Sequence, residues 1–337
     1  KAATLHSLGS LKANSGEIEE AIALYQQSLA ITEQIGNVQG KAATLHNLGI
    51  LKANSGEIEE AIALYQQSLA ITEQIGNVQS KAATLHNLGR LKANSGEIEE
   101  AIALYQQSLA ITEQIGDVQS KAATLHSLGS LKANSGEIEE AIALYQQSLA
   151  INEQIGDVQT KAATLHELGI LKANSGEIEE AIALYQQSLA INEQIANVQG
   201  KAATLHYLGS LKANSGEIEE TIALYQQSLA IYEQIGDVEG KAATLHNLGS
   251  LKANSGEIEE AIALYQQSLA INEQIGDVQT KAMTLWWLGH IAEQQGDYNQ
   301  ALDYLQPALE ILQRIQSPDA ERLGQVVARV QDLIRNS

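Results

Sequence analysis

Cysteine is absent from this chain of 337 residues. Its absence removes disulfides and thiolate metal sites and fits a reducing compartment. Cations are scarce: 20 Lys and Arg stand against 41 Asp and Glu, a formal net charge of −21. That balance argues against nucleic acid or an anionic membrane as partner, since both need clustered Lys and Arg. No apolar run approaches the roughly 18 residues that a membrane span requires. Proline occurs twice, at Pro307 and Pro318. The chain opens at Lys1 without an initiator Met or a signal peptide. We read it as an excised fragment of a cytoplasmic protein, in which missing address signals carry no weight.

What is present is a 40-residue unit written seven times almost unchanged and an eighth time loosely, with copies starting at Lys1, Lys41, Lys81, Lys121, Lys161, Lys201, Lys241 and Lys281. A unit too short to bury its own apolar face must stack on its copies, so the expectation is one solenoid over 1–337 with repeats 1–40, 41–80, 81–120, 121–160, 161–200, 201–240, 241–280 and 281–320. Hydrophobic residues make up 44% of the chain, ample for a continuous core.

Each unit reads as two helices. Gly36 suits a left-handed helix end and Asn37 a cap, so helix A runs from Val38 to about Ala53, where Asn54, Ser55 and Gly56 stop it. Helix B follows from about Glu57 to about Ile75, with Glu57, Glu59 and Glu60 in its first turn, where acid complements the helix dipole. In the first unit, helix B carries Ile18, Ala21, Ile22, Tyr25 and Leu29 on one stripe and Leu24, Ile31 and Ile35 on a second, which implies burial on two sides. No strand-like alternation occurs, and the fold class is all-α. Glu17, Glu19, Glu20 and Glu33 recur in each of the first seven units as a solvated acidic ridge. After Ser317-Pro318 a capping helix spans 319–334, with Leu323, Val326, Val327, Val330 and Leu333 on its apolar face. Pro307 falls inside helix B of the eighth unit, where a kink is expected.

These motifs carry a resemblance. Helix A reads L-x-x-L-G (Leu5, Leu8, Gly9), and helix B reads A-x-x-x-Y-x-x-S (Ala21, Tyr25, Ser28) after Gly16. The pattern resembles the tetratricopeptide repeat, in the 40-residue variety similar to kinesin light chains and Leu-Gly-Asn-type adaptors. Lys12 stands where that family usually has an aromatic residue, and Ser28 where it usually has Ala. The resemblance implies a right-handed superhelix whose A helices line a groove for peptide or partner segments. It implies no enzyme activity, and in bacterial multidomain proteins similar arrays serve as the recognition or sensor part.

Among the first seven units only eight columns of forty vary. The radical changes sit in two columns of helix A. One reads Ser7, Asn47, Asn87, Ser127, Glu167, Tyr207 and Asn247, with Trp287 in the eighth unit. The other reads Ser10, Ile50, Arg90, Ser130, Ile170, Ser210 and Ser250, with His290 in the eighth. Three residues apart, they share a helix face with Ala3 and Asn14, the latter repeated as Asn54, Asn94, Asn134, Asn174, Asn214 and Asn254. By resemblance this is the groove stripe, and the asparagines either bond a ligand backbone or close helix A.

In the eighth unit Met283 and Trp287 supply an apolar anchor, while Trp286 either joins them or packs under the capping helix. His6, His46, His86, His126, His166, His206 and His246 recur once per unit, too few ligands at about 10 Å spacing for a metal site. No cofactor motif or catalytic constellation occurs. The reading is a recognition module for a neutral or basic segment with an apolar anchor. A structural or self-assembling scaffold, natural or consensus-designed and associating end to end, is the alternative.

Overall fold

A computed structural model describes residues 1–336 as seventeen α-helices, with no strand among them. They alternate as expected: α1 Ala2–Asn14 and α2 Ile18–Gln34, α3 Val38–Asn54 and α4 Ile58–Gln74, α5 Val78–Asn94 and α6 Ile98–Ile115, α7 Val118–Asn134 and α8 Ile138–Ile155, then α9 Val158–Asn174. The series continues with α10 Ile178–Gln194, α11 Val198–Asn214 and α12 Ile218–Ile235, α13 Val238–Asn254 and α14 Ile258–Ile275, α15 Val278–Gln294 and α16 Tyr298–Arg314, closed by α17 Asp319–Asn336. Two compact units are distinguished, Lys1–Leu171 and the chain from Lys172 onward.

The helix boundaries follow from local chemistry. Asn37 accepts a hydrogen bond from the Gly40 backbone N–H at 3.0 Å, and Asp117 does the same for Ser120, so the column that alternates between Asn and Asp is the cap of helix A. The other end closes through the backbone: the Gly56 N–H donates to the Ala53 carbonyl and the Glu57 N–H to the Lys52 carbonyl, with Gly56 at φ 79°. Ala196 holds the equivalent left-handed position of its repeat at φ 54°, a conformation that costs a residue with a Cβ. α16 continues as one helix through Pro307.

In the first unit, Leu48 and Leu51 of α3 bury against Ala21 and Tyr25 of α2, and Leu64 of α4 packs onto the same cluster. Gly49 permits the close approach, since a Cβ there would meet the ring of buried Tyr65 at 2.7 Å. The Ser68 hydroxyl donates to the Ala42 carbonyl at 2.9 Å, tying helix B to helix A, so the serine at the family's usual Ala position has a structural task. In α1 the counterparts Leu8 and Leu11 are 41% and 61% exposed, whereas Leu48 and Leu51 are buried.

Lys12 and its copies are explained in the same way. The Lys52 ammonium bridges Glu57 at 2.7 Å and Glu60 at 2.9 Å, and Lys81 reaches Glu73 at 2.9 Å. Much of the acidic ridge is therefore ion-paired rather than simply solvated.

The second unit follows the same rules up to its cap. Leu323, Val327 and Val330 of α17 bury with Ala301, Leu305, Ala308 and Leu312 of α16. Leu333 does not join them and stays 38% exposed. Ile35 and its copies likewise depart from the expected second stripe. Ile35 is 64% exposed and Ile75 36%, because they fall in the last turn of helix B, where the chain leaves for the next repeat.

The column of Thr32, Asn152 and Tyr232 is a core position and not a surface one. Where it holds Tyr232, the facing residue is Gly240, whose Cβ would lie 2.4 Å from the tyrosine ring. Where it holds Thr72, Ser80 fits in the same place.

Candidate functional site

The expected stripe reaches the surface. In the second repeat Ala43 and Asn54 are exposed, and Asn47 and Ile50 half-buried. Much of this stripe, however, is wired into the scaffold. The key partner is the recurring histidine.

In the first unit, His46 Nδ1 lies 3.0 Å from the Thr84 hydroxyl of the next repeat, and that hydroxyl donates to the Ser80 carbonyl at 2.8 Å. A hydroxyl has one proton, so Thr84 must accept from His46, which places the imidazole proton on Nδ1 and leaves Nε2 an acceptor. The Asn87 amide lies 3.3 Å from that Nε2 as its donor. The same relay joins Asn47, His6 and Thr44. It recurs in the second unit, where Asn247 donates to His206 and His206 meets Thr244.

The relay needs a neutral imidazole. Burial lowers the affinity of these rings for a proton, and His46, His86, His206 and His246 are brought to about 4. The histidines are therefore inter-repeat struts. No group of three or more metal-ligating side chains forms among the described residues.

The second variable column behaves similarly. Ser10 lies 2.8 Å from the Tyr25 hydroxyl, Ser130 2.8 Å from Tyr145, Ser210 2.9 Å from Tyr225 and Ser250 2.8 Å from Tyr265. Ser127 bonds the Tyr105 hydroxyl of the preceding repeat. Where Ile50 replaces serine, the buried Tyr65 hydroxyl is left without a partner.

Ser127 and the asparagines of the first column and the serines of the second thus complete the scaffold, while Ser7 is exposed. The other members carry charged, aliphatic or aromatic side chains. Arg90 is exposed. Glu167 is half-buried, and desolvation raises its carboxyl above the usual range. Ile170 is half-buried. Tyr207 is 40% exposed, with its ring 6.1 Å from Tyr185. Asn14, Asn54, Asn94, Asn134, Asn174, Asn214 and Asn254 are all exposed at the last position of their helices, where the closing bonds come from the backbone and, in three repeats, from the next serine's hydroxyl.

In the second unit, α15 presents Met283, Trp286, Trp287 and His290 on one face, at spacings of three, one and three. α17 presents Asp319, Arg322, Gln325, Val326 and Arg329 opposite. Together they line a cavity of about 490 Å³. The Arg322 guanidinium carbon lies 5.5 Å from the centre of the Trp286 ring, and Arg329 grips Glu293 with both carboxylate oxygens at 2.8 and 3.0 Å. Trp286 also packs against the core beneath α17, so it serves both sides of the expected alternative. The contribution of α17 to this pocket was not legible, because Arg322 and Arg329 read as the polar side of a cap.

Paired helices repeated at 40 residues, with a glycine of helix A seating a tyrosine of helix B, or Leu305 in the eighth repeat, define a helical-repeat scaffold. The tetratricopeptide repeat profile matches residues 1–74, 41–114, 80–154, 120–194 and 200–274, and a second profile of the same description matches 246–320. The chain belongs to the tetratricopeptide repeat family. No curated protein matches it in sequence.

Solved structures share the fold. A signal transduction ATPase with numerous domains and a tetratricopeptide repeat sensor from Pyrococcus horikoshii aligns at TM-score 0.74 and 15% identity, covering 97% of this chain and 50% of that one. The apo quorum sensor NprR of B. thuringiensis aligns at 0.73 and 13%, covering 92% and 87%. The Rap conjugation gene regulator of plasmid pLS20, solved with the Phr* peptide, aligns at 0.60 and 17%, covering 85% and 77%. This chain spans about half of the Pyrococcus protein. No helix among the described residues is long and apolar enough to cross a membrane.

Proposed function

We propose that this is a non-catalytic recognition module that holds a peptide or protein segment along its A helices, as the sensor part of a larger cytoplasmic protein. One observation carries the reading: in a scaffold copied seven times, the radical substitutions that reach the surface lie on one helix face, the remaining one being the buried Tyr232. Exposed residues elsewhere, such as Glu19, Gln26 and Gln27, do not change in those copies. The quorum sensor NprR and the peptide-bound Rap regulator share the fold, which makes a peptide ligand the natural class.

Selection rests with Ile50, Arg90, Glu167, Ile170, Tyr207 and Trp287, while the exposed asparagines of each repeat offer amides to the ligand backbone. With one cation, Arg90, in the variable columns, the segment favoured there is neutral or basic with an apolar anchor. The test is capture from source-cell lysate by this chain and by a version with Ile50, Arg90, Glu167, Ile170, Tyr207 and Trp287 all changed to Ser. Partners retained equally by both versions refute the reading.

A second reading has its own observation. Near-identical units that stack within one chain can stack end to end between chains. Light scattering over a concentration series decides it, since a constant monomer mass rules it out.

A further inference from the structure

The cavity between α15 and α17 has a chemistry that the rest of the chain lacks. Its walls are apolar and aromatic: Met283, Trp286, Trp287 and Val326. Two of its charged residues are cationic and one, Asp319, is acidic, in a chain of net charge −21. Arg329 is neutralised by its two-oxygen grip on Glu293, with Nε at 3.1 Å as well. Arg322 makes no ion pair among the described residues and lies against the Trp286 ring. A guanidinium held by its face on an aromatic ring keeps its N–H edge for a planar anion, and Arg donors match a carboxylate two at a time. At about 490 Å³ the cavity falls in the size range of small-ligand sites, which combine apolar walls with a few placed polar groups.

We propose that this pocket binds an amphiphilic carboxylate: an apolar body seated among Met283, Trp286, Trp287 and Val326, and a single carboxylate on the guanidinium edge of Arg322. Gln325, one helical turn further on, offers an amide donor to the same anion. Asp319, one turn earlier, repels an anion from that end and so fixes the ligand's direction. The carboxylate is that of a free aromatic or aliphatic acid, or the C-terminal group of a peptide whose last side chain is large and apolar. The site shares Met283, Trp287 and His290 with the face proposed above but does not depend on the other repeats.

The chain has two tryptophans, and both line this pocket, so intrinsic fluorescence reports its occupancy directly. The probes are 3-phenylpropanoate with its neutral amide, and the peptide acetyl-Gly-Gly-Ala-Leu with a free or an amidated C-terminus. A saturable tryptophan response to an acid, at least about tenfold weaker for its amide, is the expected result, given the strength of hydrogen bonds to charged groups. Arg322→Gln should bring acid and amide to the same affinity while leaving the unfolding curve in place. Response to the peptide acid alone assigns the pocket to a chain terminus, and response to both acids assigns it to free acids as well. Equal affinity for acid and amide overturns the proposal, as does the absence of a saturable response at tens of millimolar. The lysate experiment shares only Trp287 with this pocket, and a version that keeps Trp287 reads Arg90, Glu167 and Tyr207 in other repeats independently of it.

Discussion

Acidification from pH 7.5 to 5 should loosen this array through its recurring histidines. Each recurring histidine donates from Nδ1 to a threonine and accepts at Nε2 from an asparagine where one is present, so a second ring proton breaks the relay. Burial brings His46, His86, His206 and His246 from 6.5 to about 4. The folded state thus binds these protons less readily than the unfolded chain. Their stabilisation is complete above the unfolded value of 6.5 and is lost as pH falls toward 4. At pH 5 the linkage amounts to about 2 kcal/mol per histidine, trimmed to about 1–2 because each ring keeps a partly exposed edge. Four such groups give a loss of about 4–8 kcal/mol, comparable with the whole stability of a domain. Urea unfolding followed by far-UV circular dichroism at pH 7.5, 6.5, 5.5 and 5 measures it. His46→Gln should remove one share of the pH dependence. Glu57, Glu97 and Glu137, which their lysine partners hold below 4.5, release their contribution only at lower pH. A urea midpoint that is flat to pH 5 and falls only below 4.5 would refute the strut assignment.

Five substitutions probe other parts of the scaffold by thermal or urea unfolding. Tyr65→Phe deletes a buried hydroxyl without a partner and should stabilise by about 1 kcal/mol, whereas Tyr145→Phe, which strips Ser130 of its bond, should cost about as much; equal effects would contradict the pairing. Gly240→Ser drives a side chain into the buried Tyr232 ring and should cost about 1–3 kcal/mol, while Gly40→Ser, the residue that Ser80 and Ser120 already carry, should be near neutral. Ala196→Gly relieves the left-handed backbone and should stabilise by up to about 1 kcal/mol; a loss of stability would mean that the alanine methyl makes a contact worth more than the strain.

The fold was legible because its determinants are local and repeated. Gly36, Asn37 and Gly56 announce helix ends by backbone conformation and capping, and Leu48 with Tyr65 announces the core by spacing. The hydrogen-bonded relay was not legible. It joins residues 38 and 41 apart, in different repeats, and the unchanging Thr44 and Thr84 look like ordinary helix residues until the next repeat stands beside them. Ile35 misled for the opposite reason, since its apolar character suggested burial while its place in the last turn exposes it. The pairing of Tyr232 with Gly240 was hidden because each column alone looks like mild variation.

The relay also changes how variation on the proposed recognition face is to be weighed. Serine and asparagine recur in both columns because they satisfy Tyr25, Tyr145, His6 and His46, and such residues are retained whether or not a ligand is bound. At Ile50 the substitution abandons this bonding and leaves the buried Tyr65 hydroxyl unpaired. Glu167 shows a related cost, a carboxylate carried in a desolvating site. An unpaired buried hydroxyl costs about 1–3 kcal/mol, a large fraction of what one repeat interface contributes. Off this face the exposed changes are mild, such as Gln39 to Glu239, while Gln26 and Glu19 stay fixed. Substitutions tolerated against a structural penalty are the ones that point to selection by a ligand. Ile50 and Glu167 therefore rank ahead of the serines and asparagines as specificity positions, and restoring them singly to Ser and Asn should raise stability while weakening capture of the partner.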